Sequence, residues 1–246
     1  MASPAVRFDP IQPQRAHEYV AEQIRRHISL RLVLAGEALP PERELARLFE
    51  VGRPTVQQAL RQLEADGLVE ARRGRGGGTF VSHPPEGGPR RDELIERLLR
   101  RRAELDELLV YRRAVEPAAA RVAAGTRRKS DVEAMRRADR RWIAARDEPA
   151  YMRHDTEFHL ALARATGNGL LVATLEDVRT RLGDALGLLP ESDLWARRIS
   201  GEHEAVIAAI EARDGEAADA AMREHVVNAE RSVRALLAAI RRRVAR

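Results

Sequence analysis

Apolar residues recur along most of this chain at spacings of three and four, the period of a helix with one face turned to a core. In "HEYVAEQIRRHISL", residues 17–30, Val20, Ile24 and Ile28 share a face and predict a first helix. "LPPERELARLFEV" places prolines where a helix begins and directs Leu45, Leu48 and Phe49 inward. Gly52 then interrupts the pattern, and "RPTVQQALRQLEADGL" runs Val56, Leu60 and Leu63 along one apolar face until Gly67 stops it. The pattern therefore predicts a short helix, a tight turn and a longer helix. Two brief apolar runs follow, "LVEAR" and "TFVS", joined by "RGRGGG", which predicts a two-stranded hairpin with a flexible basic tip.

Glycines and prolines across residues 72–91 end this region. The expected division is a first domain over residues 14–84, a linker over 85–91 and a second domain over 92–243. In the second, Ala, Leu, Glu and Arg recur with helical period, interrupted near Gly125, Asp147 to Pro149, Gly167 to Gly169, Pro190 and Gly215. β-Branched runs and fixed-period repeats are absent there, so six or seven helices are expected in an all-α bundle. The fold class that follows is mainly α, an amino-terminal winged helix-turn-helix followed by that bundle.

Composition narrows the chemistry. The chain has 246 residues, 44% hydrophobic and 33% charged, enough for two cores. No run approaches the roughly 18 apolar residues of a membrane span, and "MASPAVRFDPIQPQR" lacks the apolar stretch of a secretory signal, so a cytoplasmic protein without membrane partners is expected. There is no cysteine, which excludes disulfides and thiolate ligands and leaves His, Asp and Glu to bind any metal. A pI near 10.4 suggests nucleic acid, yet the net charge is only +5. Residues 1–84 carry 12 Arg against 10 Asp plus Glu, hence +2, and the remainder 31 against 28, hence +3. Neither half is a polycation, so the placement of the charges must decide.

On the second helix of the predicted helix-turn-helix, the face opposite Val56, Leu60 and Leu63 offers Arg53, Thr55, Gln57, Gln58 and Arg61, groups that reach phosphates or base edges. The hairpin adds Arg72, Arg73 and Arg75 among glycines that let the backbone approach a groove. Any single arginine here reads equally as a solvated charge. The arrangement as a whole favours DNA.

A second pattern lies in "RHDTEFHLALA", residues 153–163, where Asp155 and His159 stand four apart on one helix face. Taken alone, such a pair reads as a local hydrogen bond. His203 shares the face of Val206, Ile207 and Ile210, however, and His225 continues that of Ala221 and Met222. Three imidazoles and a carboxylate on apolar faces are costly to bury unless paired or coordinated, and a divalent metal removes that cost. The donor set suits zinc foremost, with Ni, Mn, Fe or Co as alternatives, and four ligands leave one or two positions open. His17, His27, His83 and His154 lack this pattern and read as surface or structural residues.

The stretch "LPPERELARLFEVGRPTVQQALRQLEADGLVEARRGRGGGTFV" resembles the amino-terminal signature of GntR-family bacterial transcription regulators. The resemblance implies operator contacts from Arg43, Arg53, Thr55 and the wing glycines, Gly76 among them. Where the family pattern has arginine after the Thr-Val pair, this chain has Gln57, which favours a bidentate contact to adenine in place of a guanine contact. Asp155-x3-His159, "HEAVIAAI" from His203, and Ala221-x3-His225 resemble the FadR-type ligand-binding (FCD) domain of the same family. That resemblance implies that Asp155, His159, His203 and His225 hold a metal to which a small carboxylate effector coordinates. Acyl-CoA-binding members lack the full ligand set, so a small organic acid is implied. "YRRAVEP" fits the family's Arg-x-x-Leu-Glu pattern with Val115 for leucine, making Arg112 the partner of the effector carboxylate, with Asn168 grouped beside it. A salt bridge from Arg112 to Glu116, one turn on, is the alternative.

The expected function is that of a homodimeric, metal-dependent transcription regulator, not an enzyme, that represses a catabolic operon and leaves operator DNA when an effector binds. The segment 82–92 would carry a change in the relative orientation of the amino-terminal domains. Two alternatives remain at this point. One is a metal-dependent hydrolase fused to a DNA-binding domain, against which stands the lack of a general base, since Glu157 and Glu202 are expected to face away from the ligands. The other is an effector-independent DNA-binding protein.

Overall fold

A computed structural model describes residues 16–83, 96, 98–145, 148–186 and 193–244. The chain divides into two compact units, the first ending at His83, with residues 29–32 grouped with the second. The predicted linker 85–91 and the interruption at Pro190 lie outside the described residues, as does most of the segment 82–92.

The first unit holds α1 (Ala16–Ser29), α2 (Glu42–Leu48) and α3 (Arg53–Ala65), then β1 (Val69–Arg72) and β2 (Gly78–Val81). Val20 and Ile24 of α1 meet Leu45, Val56, Ala59, Leu60 and Leu63 in one core, closed by Val69 and Val81. The strands pair antiparallel, with Val69 opposite Val81 and Arg72 opposite Gly78. One expectation needs correction. Leu48 is 55% exposed, because α2 ends at that residue and Leu45 and Phe49 already fill its inner side. Gly52 does interrupt the pattern, as the extended N-cap of α3 at φ −68°, and the left-handed residue of the turn is Glu50 at φ 54°.

The second unit contains α4 (Arg102–Thr126), α5 (Lys129–Ala144), α6 (Glu148–Ala165), α7 (Gly169–Leu186), α8 (Asp193–Glu211) and α9 (Gly215–Val244), with residues 98–100 also helical. Gly167, at φ 65°, makes the break before α7 that a residue with a Cβ would resist. Small residues set the packing: Ala119, Ala120, Ala123 and Ala124 of α4 are fully buried and let neighbouring helices approach. Phe158 and Leu162 of α6, Val206, Ile207 and Ile210 of α8, and Met222 and Val226 of α9 complete this core. The polar cluster described next sits among them. No described helix is long and apolar enough to cross a membrane.

Candidate metal centre and DNA-binding face

α3 presents Arg53, Gln58 and Arg61 to solvent, with Thr55 and Gln57 half-buried in its first turns; Arg43 of α2 is exposed as well. Glu42 binds two of the candidates, accepting from Gln57 Nε2 at 2.8 Å and from Arg53 at 3.4 Å. Gln58 lies 3.1 Å from His17 Nε2. Arg73, Arg75 and Gly76 are exposed at the hairpin tip, whereas Arg72 folds back, pairing with Glu70 and lying 4.3 Å over the Phe80 ring. A Cβ on Gly77 would lie 2.5 Å from the Arg72 carbonyl oxygen, so the turn excludes any side chain there.

In the second unit, Asp155 and His159 from α6, His203 from α8 and His225 from α9 come together, all four buried, with one ligand atom from each inside a common span of 4.8 Å. Helix geometry explains the first pair, since positions four apart stack on one face. His225 Nε2 lies 3.3 Å from His159 Nε2, and Asp155 Oδ1 lies 3.4 Å from His203 Nε2 and 3.8 Å from His159 Nε2.

The opposite ring nitrogens meet carboxylates. His203 Nδ1 is 3.2 Å from Asp139, His225 Nδ1 is 2.9 Å from Glu202, and His159 Nδ1 is 3.0 Å from Glu116, in ion-pair range without the alignment of a hydrogen bond. Carboxylates behind the rings place the proton on Nδ1 and turn the Nε2 lone pairs inward, the arrangement of metal-ligating histidines. The outer oxygens are held in turn. Arg112 donates to Glu116 at 2.6 Å, Ser200 to Asp139 at 2.9 Å, Asn228 to Glu202 at 2.9 Å, and Arg179 to the second oxygen of Asp155.

Electrostatics follow from burial. Desolvation pushes His159 down to about 3 and lowers His225 despite its carboxylate. His203 is raised against its own burial by the carboxylates of Asp139 and Asp155. The Arg179 guanidinium holds Asp155 well below the usual carboxylate range although burial opposes it, and Arg112 with His159 does the same for Glu116. Around the cluster the buried acids Glu116, Asp139 and Asp155 outnumber the buried bases Arg112 and Arg179 by three to two. His203 Nε2, fully buried, has no hydrogen-bond partner. Three ring nitrogens and one carboxylate oxygen directed at a common point make an N3O donor set that fits a divalent cation.

A cavity of about 20 Å³ adjoins the cluster, lined among others by Arg112, Asp155, His225, Trp142, Met152 and Ile199, with room for about one water. Trp142 also packs edge-on against Tyr151 at 5.0 Å and His203 at 5.9 Å. Arg112 does make the salt bridge to Glu116, and its Nη1 stays buried without a partner. Asn168 is placed apart from that cavity's lining: its Oδ1 accepts from the amides of Leu170 at 2.9 Å and Leu171 at 3.3 Å, capping α7.

Residues 16–81 match the gntR family of bacterial regulatory proteins, and residues 107–228 match the FCD domain. The Uxu operon transcriptional regulator of Escherichia coli K12 is 32% identical over 223 residues, covering 87% of this chain and 85% of its own length. This chain belongs to the GntR family. It is a GntR-family transcription regulator with an FCD domain, of a kind that binds operator DNA. The HTH-type transcriptional repressor NanR of Cronobacter sakazakii is 29% identical over 232 residues, 88% of this chain and 85% of that protein. Among solved structures, E. coli McbR/YncC superposes with a TM-score of 0.54 at 16% identity over 90% of this chain and 98% of that one, a likeness of fold. These GntR relatives are transcription regulators and not enzymes, which removes the hydrolase alternative.

One expectation is overturned within the GntR chain: Glu202 does not face away from the ligands but grips His225, because α8 buries a stripe wide enough to bring its flank against α9. Glu157 does turn elsewhere, to His154 at 2.9 Å. Sequence reasoning missed Asp139 and Arg179 altogether. Both carried a signal, since Asp139 falls between Met135 and Trp142, and Arg179 between Leu175 and Leu182, at inward helical positions.

Proposed function

We propose that the chain is a homodimeric, metal-dependent repressor of a catabolic operon, released from its operator when a small organic acid binds the second unit. The observation that carries this reading is the convergence of three buried Nε2 atoms and Asp155 Oδ1, each imidazole backed by its own carboxylate. In this reading residues 14–84 form the DNA-binding domain, 85–91 the linker and 92–243 the effector and dimerisation domain. Asp155, His159, His203 and His225 hold the ion, zinc foremost, and a bound divalent cation supplies a Lewis-acid site for a carboxylate. Arg112 contributes the buried, unpartnered Nη1 as a donor to that same carboxylate, while its Nε stays on Glu116. Asn168, which caps α7 apart from this cavity, takes no part in that contact.

The cavity is water-sized, so an organic acid enters only by moving the side chains around it, and binding is thereby tied to displacement of the helices that carry them. Coupling of about 1–3 kcal/mol to operator affinity suffices for a working switch. The sign of regulation follows relatives that are themselves named repressors. Arg43, Arg53, Thr55, Gln57, Gln58, Arg61, Arg73, Arg75 and Gly76 form the operator face, and the protein acts in the cytoplasm.

The test is metal content of the purified native protein, then calorimetric titration with a panel of small carboxylic acids, with and without chelator. Stoichiometric metal and chelator-sensitive binding of an acid are expected; metal-free protein that binds none of them removes the reading. His203→Ala is expected to abolish release by the acid while operator affinity stays within about threefold. Loss of both together would make the centre structural.

A further inference from the structure

Arg198 of α8 stands where the cavity beside the polar cluster meets solvent. It lines that cavity together with Arg112, His225 and Ser232, and it also lines an open groove between α8 and α9 with Gly201, Ala205 and Ala221. Its side chain keeps 45% of its surface exposed. The nearest carboxylate does not hold it. Arg198 Nε lies 3.8 Å from Glu202 Oε1, beyond hydrogen-bond range. Glu202 is already committed, with His225 Nδ1 2.9 Å from Oε2 and the Asn228 amide donating to Oε1 at 2.9 Å. Arginines of α9 close their pairs more tightly, Arg223 on Asp219 and Arg234 on Glu230, each at 2.8 Å. Among the described residues, then, nothing takes the donors of the Arg198 guanidinium.

Two guanidiniums at one cavity set a requirement on what fills it. Arg112 Nη1, buried and unpartnered, and the four-residue cluster together receive one carboxylate. Arg198 precedes His203 by five residues on α8, about 7.5 Å along the helix at 1.5 Å per residue, so it meets the far end of a ligand and not the same group. A planar guanidinium pairs best with a carboxylate, which accepts two parallel N–H donors. An acid with a single carboxylate leaves Arg198 in water, where it gains nothing.

We propose that the effector is a dicarboxylic acid of four to six carbons, whose first carboxylate goes to Arg112 and the cluster and whose second is held by Arg198. The inference rests on the reading of the second unit as an organic-acid site and makes Arg198 the residue that determines specificity within it.

The experiment is calorimetry on the full-length, metal-loaded protein with acids in matched pairs, succinate with butyrate, glutarate with valerate and glucarate with gluconate, for the wild type and Arg198→Met. In at least one pair the diacid is expected to bind the wild type about tenfold more tightly. Added salt narrows that advantage, because Arg198 is half exposed. Arg198→Met removes it, with affinity for the monoacid within about threefold and metal stoichiometry unchanged. Equal affinities within every pair overturn the proposal, as does a diacid advantage that survives Arg198→Met or a loss that strikes both members of a pair alike. Binding of monoacids with no diacid bound overturns it too and leaves the organic-acid reading standing. If the loaded protein binds no acid of either kind, that reading falls and this inference with it.

Discussion

Arg179 is 3% exposed, and its guanidinium reaches Asp155 while Nε and Nη1 have no partner. Removing Asp155 would leave that charge buried beside neutral imidazoles, so Asp155→Ala is expected to cost about 3–5 kcal/mol of stability in chelator, read by urea denaturation. Asp155→Ala combined with Arg179→Met should recover most of the loss, because an apolar pair of similar volume replaces the ion pair; no recovery would place the cost elsewhere. The four candidate ligands were legible because each is polar on a face otherwise made of residues such as Phe158, Val206 and Met222. Their carboxylate partners were not. Asp139 and His203 are 64 residues apart, and a helical pattern says which face a residue occupies but not which helix it will meet. Arg179 was hidden among many arginines, of which it and Arg112 are the buried ones among the described residues.

At the scale of elements, the hairpin depends on one backbone crossing. Gly77→Ala pushes a methyl into the Arg72 carbonyl and, at 2.9 Å, into that of Gly74, both backbone atoms that cannot swing aside. Strain of about 1–3 kcal/mol at the tip is expected to weaken operator binding about tenfold in a mobility-shift titration, with the melting of the second unit unchanged. Unaltered affinity would show that the wing does not touch DNA. Helix limits were readable from Gly67, Gly125 and Gly215, which stop or open helices where the pattern placed them. The turn before α3 was less so. Any residue can occupy an extended N-cap, and the left-handed position fell to Glu50, a type that seldom takes it.

The two units have cores of their own, that of the first closed by Val69 and Val81 and the main one of the second built around Phe158 and Ile207. Two unfolding transitions are therefore expected by calorimetry. A divalent ion at one thousand times its dissociation constant should raise only the second-unit transition, by about 4 kcal/mol. A shift in the first, or in neither, would remove the ion from the cluster. Net charge divides almost evenly between the two halves of the sequence, so the proposed operator face would draw on local arginines and not on a global field. Trp142 adds something of another kind. Its indole touches both the cavity and His203, and Trp195 is the other tryptophan of the chain. With Trp195→Phe the protein carries a single tryptophan beside the proposed switch, and loading or emptying that site is expected to change ultraviolet fluorescence excited at the red edge. Occupancy can then be followed in real time, with no dye, label or DNA in the cuvette.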